Sequence, residues 1–346
     1  MKSEFRFTAT GIGSVPSTEI RDTCEDILKH LPEIPFWPQF VKRSPLEDMN
    51  IQFSEGFPLL EVEQEKRSLY ISSDEIEPAL VNFYDHFLAE DIDYFAISKK
   101  YAPGLYQLMD LILKNPERYG PHVKGQSVGP VTFAAGILDH EGKSVLHHPD
   151  LLEAFTKGLA IKALWQANNL GRSGKKPIIF LDEPYLSGFG SAFTAIERQA
   201  VIDLIQEVID YIRERSNALI GVHCCGNTDW SMIIETGADI VNFDAFSFLD
   251  YFLLYPEAIT HFLQDGGIIA WGIVPTLDFT KKESVDGLYS KLQEGLNRLH
   301  DWGLDSEMVI KNSILTPACG MGTMDQADAE KVLNLLSKLS ERCAGS

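Results

Sequence analysis

The sequence predicts an α/β fold of the (β/α)8 TIM-barrel class, with an insertion after the first strand. Short apolar runs rich in β-branched residues alternate with longer amphipathic runs along the chain. There are eight apolar runs, which is the number of strands in such a barrel. The unusual polar residues come at the ends of these runs, where a barrel builds its active site. The alternation also fits an open, doubly wound parallel sheet, which is the alternative.

The eight apolar runs are the predicted strands. They cover residues 5–13, 92–98, 123–129, 177–182, 218–224, 239–244, 267–273 and 308–315. The longer runs between them, such as 149–170 and 282–302, carry apolar residues three or four positions apart. This spacing predicts helices that pack one face on a core.

Residues 32–73 are the exception, because they are rich in proline, phenylalanine and acidic residues and have no clear period. We predict that they form the insertion after strand one and that this insertion covers the barrel mouth. No stretch of linker composition divides the chain. Residues 1–346 are therefore predicted to form a single barrel domain.

Composition and charge indicate which kinds of binding partner the protein is not expected to have. The chain has 346 residues, of which 45% are hydrophobic and 23% charged, as is ordinary for a globular protein with a sizeable core. Its net charge is -20, and its lysines and arginines form no basic runs. Neither nucleic acid nor an anionic membrane is therefore an expected partner.

The start of the chain and its cysteines indicate a cytoplasmic protein. The first residues, MKSEFRFTATGIGSVPS, contain no apolar run typical of a signal peptide, and no run of about eighteen apolar residues predicts a membrane span. Five cysteines, an odd number in a chain of this length, argue against a secreted disulfide scaffold. In a reducing cytoplasm the thiols of Cys224, Cys225 and Cys319 are free for metal binding or chemistry.

A candidate metal site lies in the stretch GVHCCGN, at the end of the fifth predicted strand. His223 and Cys225 are two positions apart, so extended backbone turns their side chains the same way. Cys319, in LTPACGMG after the last strand, would meet them on the same barrel face. One imidazole and two thiolates suit Zn²⁺, and three protein ligands leave the open position of a catalytic zinc. Asp244, which ends strand six, is a candidate fourth ligand.

The alternative interpretation of GVHCCGN needs no metal. Cys224 and Cys225 are then small buried hydrophobic residues, and His223 is a core histidine with a hydrogen-bond partner. The third cysteine, in a glycine-flanked loop at the expected barrel position, favours the metal site.

A second candidate site is the acidic pair Asp182–Glu183, which follows the apolar run PIIFL. Two adjacent carboxylates are costly to bury unless they bind a cationic group, and the amino group of a substrate is a natural partner. The alternative is that the pair complements the dipole at a helix N-terminus.

Taken together, the motifs resemble the catalytic domain of cobalamin-independent methionine synthase, within the superfamily of uroporphyrinogen decarboxylase-like barrels. The resemblance runs in order from about residue 8 to the C-terminus. Its segments are TGIGSVPST, VGPVTF, LDEPYL, GVHCCGN, VNFDAF and LTPACGMG. It implies a zinc ion bound by His223, Cys225 and Cys319, and a thiol substrate that joins as a further ligand. It also implies that Ser14 and Asp182 hold an amino-acid substrate such as homocysteine.

The ligand set independently favours methyl transfer to sulfur over hydrolysis. A free thiol is mostly protonated at neutral pH, and metal coordination removes its proton. Two thiolates already on the zinc cancel its charge, so a substrate sulfur keeps its electron density and stays nucleophilic. A zinc that activates water would prefer neutral histidines, which leave the metal more acidic.

The sequence departs from the family pattern in three places. Asp244 stands where the family has a glutamate ligand, and AWGIVPT lacks the histidine that serves as proton donor. The duplicated N-terminal domain and a tryptophan linked to folate binding after Gly-Pro-Val-Thr are also absent. We therefore expect a methyl-corrinoid protein or another small methyl carrier as donor, rather than the polyglutamyl folate of the large synthases, although folate stays open.

The predicted function is zinc-dependent methyl transfer to a thiol, with the zinc-bound substrate thiolate as nucleophile and Ser14, Asp182 and Glu183 orienting the substrate. One alternative is a metal-free decarboxylase of the uroporphyrinogen type. The strand-one loop GIGSVPST disfavours it, because no arginine for substrate carboxylates occurs before Arg21. The other is a non-catalytic zinc- or thiol-binding protein, which the missing histidine keeps open.

Overall fold

The computed structural model of the protein describes residues 4–72, 76–191 and 196–345. The described strands are, in chain order, β1 (Thr8–Ala9), β2 (Leu60–Glu63), β3 (Ser68–Ile71), β4 (His122–Val128), β5 (Ile137–Leu138), β6 (Lys176–Asp182), β7 (Leu219–Cys224), β8 (Ile240–Phe243), β9 (Ile268–Val274) and β10 (Ser313–Pro317).

The described α-helices are α1 (Ile20–His30), α2 (Ile76–Leu88), α3 (Pro103–Lys114), α4 (Pro130–Ala135), α5 (Pro149–Gly171), α6 (Arg198–Arg215), α7 (Trp230–Glu235), α8 (Leu249–Phe252), α9 (Pro256–Gln264), α10 (Val285–Asp301), α11 (Ser306–Lys311) and α12 (Gln326–Ala344). Short 3₁₀ helices span Pro45–Glu47, Ile51–Phe53, Pro116–Arg118, Val145–His147 and Pro184–Gly188. No helix of the described residues is both long and apolar enough to cross a membrane.

The main sheet is curled and has seven strands, all parallel, in the order β1-β10-β9-β8-β7-β6-β4. Each strand from β6 to β9 pairs with the next one along the chain, and the last strand, β10, pairs with the first. A doubly wound sheet would reverse its strand order at a switch point, and this order has no such reversal. The α/β class is confirmed, with helices between parallel strands.

Seven of the eight predicted strands overlap strands of this sheet, although residues 308–311 of the last one belong to α11, and the strand predicted at 92–98 is wrong. This segment folds as turns, in which the amides of Tyr94 and Phe95 donate to the carbonyls of Asp91 and Ile92. The carboxylate of Asp91 also accepts from Tyr94 N, a local bond that favours turns over strands. The apolar residues that suggested a strand, Phe95 and Ile97, are buried as anchors of the turn.

Part of the predicted insertion occupies the gap between β1 and β4. Gln39 bridges to Ser14 beyond β1, and Phe36 bridges to Lys124 in β4. The amide of Gln39 donates to the Gly13 carbonyl at 3.0 Å, and the amide of Trp37 donates to the Lys124 carbonyl at 3.3 Å. Prolines at 35 and 38 cannot donate to a ladder, which limits the segment to short bridges.

The rest of residues 32–73 includes two of the 3₁₀ helices and the β2–β3 pair, which joins β5 in a separate sheet of order β2-β3-β5. That this segment covers the mouth of a barrel stays a prediction, as does the assignment of residues 1–346 to one domain.

The interior of the curled sheet changes from apolar to polar along the strands. Ile178, Phe180 and Ile240 belong to an apolar cluster enclosed by the sheet. Toward the strand ends their places are taken by Asp182, His223 and Asn242, which are register partners on β6, β7 and β8. The carboxyl ends of parallel strands are where such folds place ligand sites, so the polar layer marks the candidate site.

Candidate metal centre

Three side chains with metal-ligating atoms meet at the carboxyl edge of the sheet. His223 is the penultimate residue of β7, Cys225 follows that strand, and Cys319 follows β10. One ligand atom from each lies within 4.8 Å of the other two, and His223 is only 3% exposed. Within the described part of the chain this is the one such group of His, Cys, Asp or Glu. The structure thus brings together the three residues singled out from the sequence; a metal ion among them stays a prediction.

A break in strand register comes just before Cys319. The pairing of β10 with β9 shifts between Thr316 and Pro317, and the amide of Ala318 then donates to the Val274 carbonyl at 2.8 Å. Such irregularities commonly re-aim side chains next to functional sites. The extra residue at this shift is Ile273 of β9, and directly after it the chain leaves β10 for the loop that carries Cys319.

Ser14 holds the loop after Cys319 through its backbone and its hydroxyl. Its carbonyl accepts from the amide of Met321 at 2.9 Å, and its Oγ accepts from the amide of Gly322 at 3.2 Å. A Cβ on Gly320 would come within 2.2 Å of Ser14 Oγ, so only glycine fits there without displacement. Ser14 therefore supports the Cys319 loop, and its predicted contact with substrate stays a prediction.

The thiols and the imidazole shift one another's proton affinity. A hydrogen bond from the Cys319 thiol holds the pKa of Cys225 well below its usual value, against the effect of burial, and the same interaction raises the pKa of Cys319. Burial lowers the pKa of His223, but Cys225 and the charge of Asp182 outweigh it and the net pKa is raised. These shifts favour a Cys225 thiolate beside a protonated Cys319 and a protonated His223. A bound metal cation would replace the protons of the two neighbours.

The donor set fits a zinc ion. One imidazole nitrogen and two sulfurs are borderline-soft donors of the kind that zinc prefers. Nδ1 of His223 is buried and has no hydrogen-bond partner within the described residues, so the ring still needs a partner for at least one nitrogen in a nearly dry position. Three protein ligands would leave one tetrahedral position for a substrate.

Asp182 ends β6 in register with His223, and its carboxylate interacts through its charge with His223 and Cys225. It is 5% exposed, and its Oδ1 is buried without a hydrogen-bond partner among the described residues. Burial raises its pKa, while His223 and Lys124 act in the opposite direction. A buried carboxylate oxygen without a donor is costly, which is the expected mark of a position reserved for a ligand.

Glu183 has partners of its own at the N-terminus of α4. Its Oε1 accepts from Val131 N at 2.9 Å, and its Oε2 accepts from Thr132 N at 2.7 Å and Thr132 Oγ1 at 2.6 Å. Burial raises its pKa to about 7, although these hydrogen bonds act in the opposite direction. The structure gives this residue the helix-terminus role, and contact between Glu183 and a substrate stays a prediction.

Asp244 follows β8 and is not part of the three-residue group. Its Oδ1 accepts from the amide of Ser247 at 2.8 Å, which satisfies one oxygen within its own loop. Burial raises its pKa. Zinc ligation by Asp244 stays a prediction.

Lys124 is a site residue that the sequence reasoning missed. It lies fully buried in β4, where its Nζ donates to the Ile12 carbonyl and to Gln126 Oε1 and sits 4.5 Å from the centre of the Phe180 ring. Burial lowers its pKa, and the charge of Asp182 opposes that shift. The signal was present in VKGQSVG, since a lysine in an otherwise uncharged strand needs an internal partner.

No protein-family model and no curated protein matches the chain. Among solved structures, the chain is similar to a B12-independent methionine synthase from Shewanella sp. W3-18-1, solved in complex with selenomethionine. The sequence identity is 18% and the TM-score is 0.48. The match covers 68% of this chain and 66% of that chain, just under two thirds of its length.

Proposed function

We propose that the protein is a zinc-dependent methyltransferase that moves a methyl group to a thiol such as homocysteine. The observation that carries the proposal is the convergence of His223, Cys225 and Cys319, whose ligand atoms lie within 4.8 Å of one another. His223 and Cys225 lie together at the end of β7, whereas Cys319 follows β10, so the fold itself brings the third ligand to the other two. Within the same proposal, residues 35–39 complete a (β/α)8 barrel by closing the gap between β1 and β4.

His223, Cys225 and Cys319 would hold the zinc. When bound, zinc supplies the acidity that converts a substrate thiol into a thiolate near neutral pH. The two cysteine sulfurs balance the charge of the metal, which favours sulfur chemistry over the activation of water. In the overall transfer, the bond between the methyl group and its donor breaks, a carbon–sulfur bond forms and the thiol proton leaves.

Asp182 would bind the ammonium group of the substrate. Its buried Oδ1 has no donor among the described residues, and its register with His223 and its charge interactions with His223 and Cys225 support a binding position beside the metal ligands. Lys124 interacts with Asp182 through its charge and favours the ionised carboxylate, the form that attracts an ammonium group. Ser14 would act mainly by holding the Cys319 loop in place.

The methyl donor would be a methyl-corrinoid protein, another small carrier or a folate. The test is the formation of methionine from homocysteine, measured by mass spectrometry with methylcobalamin or methyltetrahydrofolate as donor. We expect activity in the wild type and in Cys343→Ser, a matched control on α12. Cys225→Ser should lose activity together with zinc. Asp182→Asn should keep zinc and raise the KM for homocysteine by about tenfold, in line with loss of a charge-assisted hydrogen bond.

Two outcomes would contradict the proposal in different ways. A protein that binds zinc and homocysteine but never transfers a methyl group from any donor would be a binding protein. A protein that binds no zinc, and whose activity is unchanged by Cys225→Ser, would be a metal-free enzyme.

A further inference from the structure

Asn242 lies beside the metal centre with its amide group held in one orientation. It is fully buried in β8, and its Nδ2 donates to the Ala270 carbonyl at 2.8 Å and to Thr316 Oγ1 at 2.9 Å. Both amide hydrogens are therefore used. A flipped amide would set its oxygen against the Ala270 carbonyl, so the hydrogen bonds fix which atom is oxygen.

The amide oxygen that remains has no hydrogen-bond partner within the described residues, although it is buried. Most buried acceptors in native proteins are satisfied, so an orphaned oxygen requires an explanation. The register partner of Asn242 on the next strand is His223. The orphaned oxygen therefore lies on the strand adjacent to the ring, at the same level of the sheet.

The His223 ring also has a buried nitrogen without a hydrogen-bond partner among the described residues. Its Nδ1 is buried and unpartnered in the described structure, and its side chain interacts with those of both Cys225 and Asn242. A metal-ligating histidine commonly donates its second ring N–H to a carbonyl or carboxylate, which fixes the tautomer and the ring orientation. A neutral amide oxygen suits this purpose, because it leaves the imidazole neutral.

We infer that Asn242 is a positioning residue for the metal centre: its Oδ1 accepts the N–H of one His223 ring nitrogen and leaves the other nitrogen free to bind the metal. The inference rests on the proposed zinc site. Because Asn242 also donates to Thr316 of β10, it joins the strand that carries His223 to the strand that leads to Cys319. One amide thus connects the two segments that carry the three ligands.

The experiment compares zinc affinity and ring tautomer in folded variants. Zinc dissociation constants are measured by chelator competition, and the tautomer of His223 is read from its ring ¹⁵N chemical shifts. In Asn242→Leu we expect about 10- to 100-fold weaker zinc binding and a mixture of tautomers in place of one. Asn242→Asp keeps an acceptor oxygen beside the ring but cannot donate to the Ala270 carbonyl unless its carboxyl is protonated, so we expect it to keep the single tautomer with a smaller loss of zinc affinity than Asn242→Leu. Thr276→Val is the matched control, because it removes another buried hydroxyl that has no partner among the described residues. It should leave the zinc affinity and the His223 tautomer unchanged.

A purely structural role would lower the unfolding midpoint without altering the tautomer of the folded protein. If Asn242→Leu does not fold, Thr316→Val tests the inference, since it removes one of the two bonds that orient the amide; we expect a smaller loss of affinity and partial tautomer mixing. Zinc bound equally well, with the same tautomer, in the folded variant would overturn the inference. Absence of zinc from the wild type would instead refute the proposed function.

Discussion

Buried charges are the residues whose consequences can be read most directly from the structure. Lys162 in α5 is fully buried; its Nζ donates to the Phe95 carbonyl at 3.1 Å and lies 5.6 Å from the centre of the Phe57 ring. Burial lowers its pKa to about 7, although the charge of Glu55 acts in the opposite direction. The folded chain therefore releases this proton at lower pH than the unfolded chain, whose lysine has its usual pKa near 10.4.

Replacing Lys162 by methionine should change how stability depends on pH. The burial penalty is present in full below pH 7 and disappears as pH rises toward the unfolded pKa, because the unfolded state binds more protons in this window. From pH 7 to 9.5 the wild type should gain about 3 kcal/mol of unfolding free energy relative to Lys162→Met. Urea unfolding at the two pH values measures this difference.

Lys66→Met, on the exposed turn between β2 and β3, controls for the loss of a surface lysine. A constant difference in unfolding free energy between the wild type and Lys162→Met at both pH values would show that the buried lysine is not the titrating group.

At the scale of residues, part of the candidate site could be predicted from the sequence alone. The two-residue spacing of His223 and Cys225 and the glycine-flanked Cys319 were sufficient to predict that three ligand atoms meet. The role of Glu183 was harder to predict, because the helix it caps begins at Pro130, some fifty residues away. Asn242 gave no signal, since its importance depends on which strand lies beside it.

At the scale of elements, the Cys319 loop is placed by the irregular end of β10 and by Ser14. Gly320 approaches Ser14 so closely that any side chain would collide with the hydroxyl. The loop position, and with it the third ligand, therefore depends on a contact between residues at opposite ends of the chain.

Gly320→Ala should displace the Cys319 loop and weaken zinc binding by about tenfold or more, as displacement of supporting groups does at other zinc sites. Ser14→Ala removes the hydroxyl that the new Cβ would meet, while the Ser14 Cβ itself stays 3.4 Å away. The double variant should therefore recover part of the affinity that Gly320→Ala loses, while the bond from Gly322 N to Ser14 Oγ stays lost. Zinc affinities of the wild type, the two single variants and the double variant, measured by chelator competition, form a double-mutant cycle. Strictly additive losses would show that the contact with Ser14 does not set the loop position.

The strand that was predicted wrongly has a local physical cause. The run at 92–98 has strand-like composition, yet the carboxylate of Asp91 closes a turn locally and the apolar side chains are buried without pairing in a sheet. The bridge between Phe36 and Lys124 of β4 lies within the predicted insertion, and nothing in the sequence indicated it. Whether a short segment pairs depends on its tertiary position, which local propensity does not encode.

At the scale of the whole molecule, residues 35–39 decide whether the curled sheet is open or closed. Their backbone bonds reach both sides of the gap, and Trp37 Nε1 donates to Gln166 Oε1 of α5 at 2.8 Å, which ties the segment to the helix layer. Gln166 Nε2 in turn donates to the Gln126 carbonyl of β4 at 2.9 Å. The segment is thus attached to the sheet and to the helices around it.

Closure predicts slow hydrogen exchange in this segment. The amides of Trp37 and Gln39 should be protected to within about tenfold of strand amides in β4, because both open only with the sheet. The amide of Tyr94, in the exposed turn, should exchange much faster and serves as the internal reference. Native-state exchange followed by NMR measures all three. Exchange of Trp37 and Gln39 at the rate of Tyr94 would show that the sheet is open between β1 and β4.

The measurement that tests the zinc site most directly is the metal content of protein purified without added metal. We expect about one zinc per chain in the wild type and in Cys343→Ser, and loss of that zinc in both Cys225→Ser and Cys319→Ser, since three ligands are needed to retain it. Zinc absent from the wild type, or retained in both ligand variants, would contradict the site and with it the proposed methyl transfer.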